Sequence, residues 1–171
     1  IPVSAGWNLV SVPVSQDYYD IETVFNDLAG DGATTWDRAM WYDSQDAGDH
    51  WKQYNSNWNG AQNDLTTIGL DKGIWINIIS AGDGFLTVTG HNPSSTSIDL
   101  RAGWNLVGYP ARDDSTYKVS NLKTDTSATV VEAFNGGFIY KTQIASDTLV
   151  LTKGCAYWVL VPSDTTWMVD W

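Results

Sequence analysis

The stretch Ala5-Gly6-Trp7-Asn8-Leu9-Val10 occurs a second time as Ala102-Gly103-Trp104-Asn105-Leu106-Val107, and a proline follows each at the same distance, Pro13 and Pro110. The alignment continues upstream, Ile1-Pro2-Val3-Ser4 against Ile98-Asp99-Leu100-Arg101. A six-residue identity is too long a coincidence for a chain of 171 residues, so the chain is read as two copies of one unit whose starts lie 97 residues apart. The expected boundaries are 1–92 for the first copy and 93–171 for the second, joined by the polar turn formers Gly90-His91-Asn92-Pro93-Ser94-Ser95. That Ile1 stands where a repeat begins suits a processed chain or a segment of something longer.

Local patterns agree between the copies. Val3 to Val12 reads as an extended strand that bends at Gly6 and stops at Pro13, and Ile98 to Tyr109 does the same up to Pro110. Ile21, Val24, Phe25 and Leu28 fall on one helical face, with Asp20 as N-cap and Gly30 as stop. The weaker counterpart runs from Tyr117 to Leu122, carrying Val119 and Leu122. Val130–Phe134 and Phe138–Lys141 flank Asn135-Gly136-Gly137, whose residues supply the positive backbone angles of a tight hairpin. Copy one has the same hairpin with a longer tip, up through Met40-Trp41-Tyr42 and back through His50 to Tyr54. Each copy then has a Lys-Gly corner before a strand built on a tryptophan, Trp75 or Trp158, and a closing strand, Phe85–Thr89 or Trp167–Val169. The expected fold is mainly β: two homologous small sandwich or barrel-like repeats packed together, each with one short helix. Counted from the repeat starts at Ile1 and Ile98, copy one exceeds copy two, 97 residues against 74, through an aromatic, Asp- and Asn-rich insertion at about 30–64.

Composition narrows function. Nine Lys and Arg against twenty acids give a net charge of −11, and no basic stripe exists to meet nucleic-acid phosphates. No run approaches the ~18 apolar residues of a membrane-spanning helix. Eighteen of the acids are Asp and only Glu22 and Glu132 are Glu, a bias toward turns and caps over helix interiors. One cysteine, Cys155, permits no internal disulfide.

The Gly-Trp-Asn-Leu-Val-Ser-Val-Pro stretch at 6–13, the aromatic hairpin, the Lys-Gly corner and the Tyr157-Trp158-Val159 strand together resemble a repeat module of secreted and surface-layer-associated proteins of bacteria and archaea. That module reads roughly Gly-Trp-Asn-Leu-Ile-Ser-Leu-Pro near its start and Gly-Tyr-Trp-Val near its end. The likeness covers both copies apart from the insertion. It implies a noncatalytic extracellular or cell-surface appendage, accompanying proteases, glycan-active domains or surface-layer segments. Copy one departs from it with Gly73-Ile74-Trp75 and with its extended hairpin tip.

Candidate chemistry follows from residue types. Nucleophilic hydrolysis lacks its parts: the histidines are His50 and His91, no Gly-x-Ser-x-Gly elbow exists, and Cys155 lies in a strand pattern that suits a buried thiol. A small hydrolase using an Asp pair is left as a further alternative. Asp43, Asp46 and Asp49 could hold structural calcium at the hairpin tip, or simply be a solvated turn. Asn55 to Gly60 mimics the start of a calcium loop poorly, and Asp113-Asp114 is a weaker acidic candidate. Trp7, Trp104, Trp75 and Trp158 occupy matching positions in both copies and read as core or inter-copy packing. Trp36, Trp41, Tyr42, Trp51, Tyr54 and Trp58 belong to the longer copy, where they form either a stacking platform for sugar rings or the insertion's own small core. The expected function is a noncatalytic structural or adhesive module whose partners are neighbouring protein subunits or cell-surface glycans. A carbohydrate-binding module using the insertion aromatics is the alternative.

Overall fold

A computed structural model describes residues 1–25, 35–111, 116–137 and 141–170. The first unit runs through β1 (Pro2–Val3), β2 (Gly6–Ser11), α1 (Ile21–Val24), β3 (Trp36–Tyr42), β4 (Trp51–Asn55), β5 (Gly73–Ile78) and β6 (Gly84–Phe85). The second repeats the series as β7 (Ser95–Leu100), β8 (Gly103–Gly108), α2 (Val119–Thr126), β9 (Val130–Phe134), β10 (Thr142–Ile144), β11 (Ala156–Val161) and β12 (Thr165–Asp170). Each unit has a four-stranded antiparallel sheet, β2-β5-β3-β4 or β8-β11-β9-β10, and a two-stranded one, β1-β6 or β7-β12. The expected mainly β architecture of two similar units, each with one short helix, is what the chain adopts.

The repeated motif has a physical basis in the bend it makes. Gly6 and Gly103 hold φ of +89° and +106°, a region that costs a side chain dearly and glycine nothing. The asparagine two residues on locks the turn. Asn8 Oδ1 accepts from Ser4 N at 2.9 Å while its Nδ2 donates to Ser4 O and Gly6 O at 2.7 and 2.8 Å. Asn105 makes the same three bonds to Arg101 N, Arg101 O and Gly103 O, at 2.9, 2.8 and 3.0 Å. Both asparagines are buried, so these bonds satisfy groups that water cannot reach.

Alternation along each four-stranded sheet sends one face to the unit's own core. In unit two Val131, Tyr157, Val159 and Val107 face Val119 and Leu122 of α2 and Ile98, Leu100 and Trp167 of the two-stranded sheet. Trp167 is fully buried, its ring 5.9 Å from Tyr109 and nearly parallel to it, and its Nε1 donates to the Tyr117 hydroxyl at 3.0 Å. Unit one fills the matching space with Leu86, Phe25 and Trp36; Trp36 meets Phe25 edge-on at 6.0 Å and donates to Phe25 O at 3.1 Å.

Four local expectations are met in part, adjusted, or fall outside the described residues. Asp20 caps α1 by accepting from Thr23 N at 3.0 Å, but Leu28 and the stop at Gly30 lie outside the described residues. The weaker helical pattern gives the longer described helix, since α2 passes Leu122 and ends where Ser127 turns to φ 58°. After Asn135-Gly136-Gly137, the expected return at Phe138 to Tyr140 lies outside the described residues, while Asn135 N donates to Lys141 O at 2.7 Å and Thr142 stands opposite Phe134. The two Lys-Gly corners are also not equivalent: the strand register matches Gly73 with Ala156, whereas Gly154 stands two residues earlier at φ +79°.

The other faces of the two four-stranded sheets meet, related by an approximate twofold axis. Val10 bridges Cys155, and Lys72, the counterpart of Cys155, bridges Val107, the counterpart of Val10. The hydrogen bonds match too: Ser11 N donates to Gly154 O at 2.9 Å and Gly108 N to Asp71 O at 3.0 Å. Leu9, Leu106 and Ala156 form the buried centre, as an isologous contact between like surfaces requires.

Candidate functional site

Aromatic rings flank this joint on both sides of the axis. Trp75 of unit one lies 6.0 Å from Phe134 of unit two, and Trp158 of unit two lies 5.2 Å from Tyr42 of unit one. Phe134 and Tyr42 are equivalent by register, so the second pair is the twofold image of the first. The Tyr42 side is richer. Trp51 approaches Tyr42 at 5.4 Å and Trp158 at 6.0 Å, both edge-on, while Trp104 meets Trp158 at 6.2 Å with ring planes 89° apart. His50 stacks on the far side of Tyr42 at 4.8 Å and its Nδ1 lies 2.8 Å from Asp43 O.

The strand register explains why these rings share a face. Trp158 stands opposite Leu106 on β8 and Glu132 on β9, and Trp104 lies two residues before Leu106 on the same side of the sheet. The longer hairpin of unit one brings Tyr42 and Trp51 over that face as directly opposed residues of β3 and β4. The result is an open groove of about 270 Å³ lined by Tyr42, Trp104, Trp158 and Glu132, with Trp51 at its side. Trp51 and Trp104 are each 37% exposed, more than a packing role needs.

Of the nine described tryptophans, three commit the indole N–H inside the protein, and Trp7, Trp51, Trp58, Trp75, Trp104 and Trp158 do not. Trp36, Trp41 and Trp167 each donate to a protein acceptor. The indoles of Trp51, Trp104 and Trp158 have no acceptor among the described residues, so their N–H groups are left for solvent or ligand. Glu132 Oε2 accepts from Thr142 Oγ1 at 2.9 Å, and no Lys or Arg among the described residues pairs with the carboxylate.

The six aromatics of the longer copy are divided among different tasks. Trp36 and Tyr54 pack together at 5.2 Å in the core of unit one. The Tyr54 hydroxyl donates to Glu22, and burial first, then that bond, push its pKa up to about 12. Trp41 joins the units: its Nε1 donates to Leu106 O at 3.3 Å and its ring lies 4.2 Å beneath the Lys72 ammonium. Burial lowers the pKa of that lysine. Trp58 is exposed and stands apart from the other rings. Only Tyr42 lines the groove, and Trp51 stands at its side against Trp158. Its other members, Trp104, Trp158 and Glu132, come from the second unit; two of them sit at repeated positions that read equally well as packing, and Glu132 is one of only two glutamates.

Asp43, Asp46 and Asp49 are not gathered around one point, and among the described residues no three Asp, Glu, His or Cys side chains form a metal-binding group. Lys52 takes the place a cation would fill, 2.6 Å from Asp46 and 3.6 Å from Asp49. Asp46 also caps Gly48 N and Asp49 N, and Asp43 caps Gln45 N at 2.9 Å. The hydrogen bond to Lys52 is the leading cause holding the Asp46 pKa below the ordinary carboxylate range. Asp113 and Asp114 lie outside the described residues. Cys155 is a free thiol, half-buried at the joint where the strand pattern suits a buried one, and burial raises its pKa, which favours the thiol form. No helix among the described residues is long and apolar enough to cross a membrane. The chain matches no family model, no curated protein and no solved structure.

Proposed function

We propose that the chain is a noncatalytic adhesive module of the extracellular or cell-surface space that binds glycans in the groove between its two units. The observation carrying this reading is the set of three tryptophans, Trp51 and Trp104 exposed and Trp158 half-buried between them, with uncommitted indole N–H groups, held on the two four-stranded sheets. Sugar rings present an apolar face for stacking and hydroxyls for hydrogen bonding, and rigid aromatic walls with a few polar groups meet both at small entropic cost. A single carboxylate, Glu132, lines the groove among the described residues, whereas glycoside hydrolysis uses two. The resemblance to modules of secreted and surface-layer-associated proteins favours the same compartment.

A glycan array probed with wild type, Trp51→Ala, Trp104→Ala and Trp58→Ala tests the reading. Wild type and Trp58→Ala retain the same glycans, and the two groove variants lose them while melting close to wild type. Retention of no glycan by wild type, or unchanged retention by both groove variants, would overturn it.

A second reading, assembly with neighbouring subunits by strand addition, draws on β10. That strand is outermost in its sheet and carries Ile144, which is 71% exposed. Sedimentation at high concentration, comparing wild type with Ile144→Lys, tests it; a wild type that remains monomeric would remove it.

A further inference from the structure

The groove's walls and its one charged group point to more than a generic sugar. Trp104 and Trp158 stand at 89°, and Trp51, at the groove's side, stands at 71° to Trp158 and 74° to Tyr42, so the rings bordering this open groove lie in several planes where a flat platform would present one. Aromatic faces are electron-rich, and several of them turned around one space attract a cation. Glu132 lies directly beside Trp158 across the β9–β11 pairing, lines the same groove, and lacks a basic partner among the described residues. At its equivalent position unit one has Met40, also opposite a tryptophan, so the carboxylate belongs to one side of the joint alone. No Lys or Arg among the described residues lines the groove, and the chain's net charge of −11 adds an attractive background for positive ligands.

Resting on the glycan reading, we propose that the groove selects saccharides bearing a free protonated amine: the sugar ring stacks on the tryptophan walls and its ammonium group pairs with Glu132. The same sugar with its amine acetylated keeps the stacking surface and loses the charge. The aromatic walls and the carboxylate both act on that charge, and a preference of about tenfold for the free amine is the expected scale.

Calorimetric titration of the intact chain with glucosamine oligomers, and with the same oligomers fully N-acetylated, tests this at two salt concentrations. Wild type is expected to bind the free-amine oligomer about tenfold more tightly, and the margin narrows at high salt. Glu132→Gln is expected to bring the two affinities together while the N-acetylated oligomer binds as before, which also shows that the variant is folded. Asp99→Asn, an exposed acid on β7, should leave the preference intact, because the background field alone does not create it. Equal affinities in wild type, a preference that survives Glu132→Gln, or an equal loss in Asp99→Asn would overturn the inference. Binding of neutral array glycans without either oligomer would overturn it and leave the glycan reading standing. Failure of every glycan would remove both.

Discussion

Ser11 and Gly108 are equivalent residues of the two units, and they face each other across the approximate twofold axis: a Cβ built on Gly108 would lie 2.8 Å from Ser11 Cβ. The same Cβ would lie 2.7 Å from Leu70 O and 3.0 Å from Lys72 O. Backbone oxygens cannot swing aside as a side chain can, so the joint tolerates nothing larger than glycine there. Gly73 and Ala156, the next equivalent pair, show the same closeness at 2.9 Å.

Gly108→Ala is therefore expected to cost about 1–3 kcal/mol, the range for overpacking a close-packed interior. Gly60→Ala, whose added Cβ meets nothing within 4 Å, should be neutral within about 0.5 kcal/mol. Urea denaturation of the three proteins checks this, and equal midpoints would mean that the sheets do not meet as described.

Asn8→Ala and Asn105→Ala should destabilise by similar amounts, about 1–3 kcal/mol each, because each removes the same three part-buried hydrogen bonds that hold the bend. Thermal melts of the single variants compare them. A large effect at one position with none at the other would deny that the two bends do the same work.

Alkaline pH should destabilise the chain through its buried phenols. Burial is the main cause raising Tyr54 and Tyr157 to about 12, and it raises Tyr117 as well. An unfolded tyrosine loses its proton near about 10. Between these values the folded state holds more protons than the unfolded one, so stability present below about pH 10 is lost as pH rises toward about 12. Denaturation midpoints measured from pH 8 to pH 12 should be flat at first and then fall. Tyr54→Phe should make the fall shallower, and an unchanged slope would contradict the assignment.

Calcium should leave the melting temperature unmoved, because Lys52 lies between Asp46 and Asp49 and no three acids of the described tip converge on one point. Scanning calorimetry with calcium and with a chelator checks this; a clear rise with calcium alone would mean that the hairpin tip reorganises around the ion.

The repeat made the fold legible. Gly6-Trp7-Asn8 and Gly103-Trp104-Asn105 mark the same bend twice, and hydrophobic alternation after them identifies the strands without any need for long-range information. The groove was harder to read, because it is assembled across the joint. Tyr42 and Trp51 stood out by belonging to the longer hairpin, but Trp104 and Trp158 looked like structural residues for the very reason that they repeat. What sets them apart from Trp7 and Trp75 is the surroundings: Trp51 of the other unit has Thr142 as its counterpart, and Glu132 has Met40. That asymmetry arises from pairing register, and a linear motif does not carry it. Likewise Asp43, Asp46 and Asp49 have a spacing that a calcium loop shares, and the placement of Lys52 beside two of them is a contact that spacing does not carry.

The most direct measurement follows the ten indole N–H signals by NMR while the tightest-binding array glycan is added. The account predicts that Trp51, Trp104 and Trp158 shift together with one affinity, while Trp36, Trp58 and Trp167 stay in place. Shifts confined to Trp58 or the core tryptophans, or no indole shift with any glycan, would contradict it.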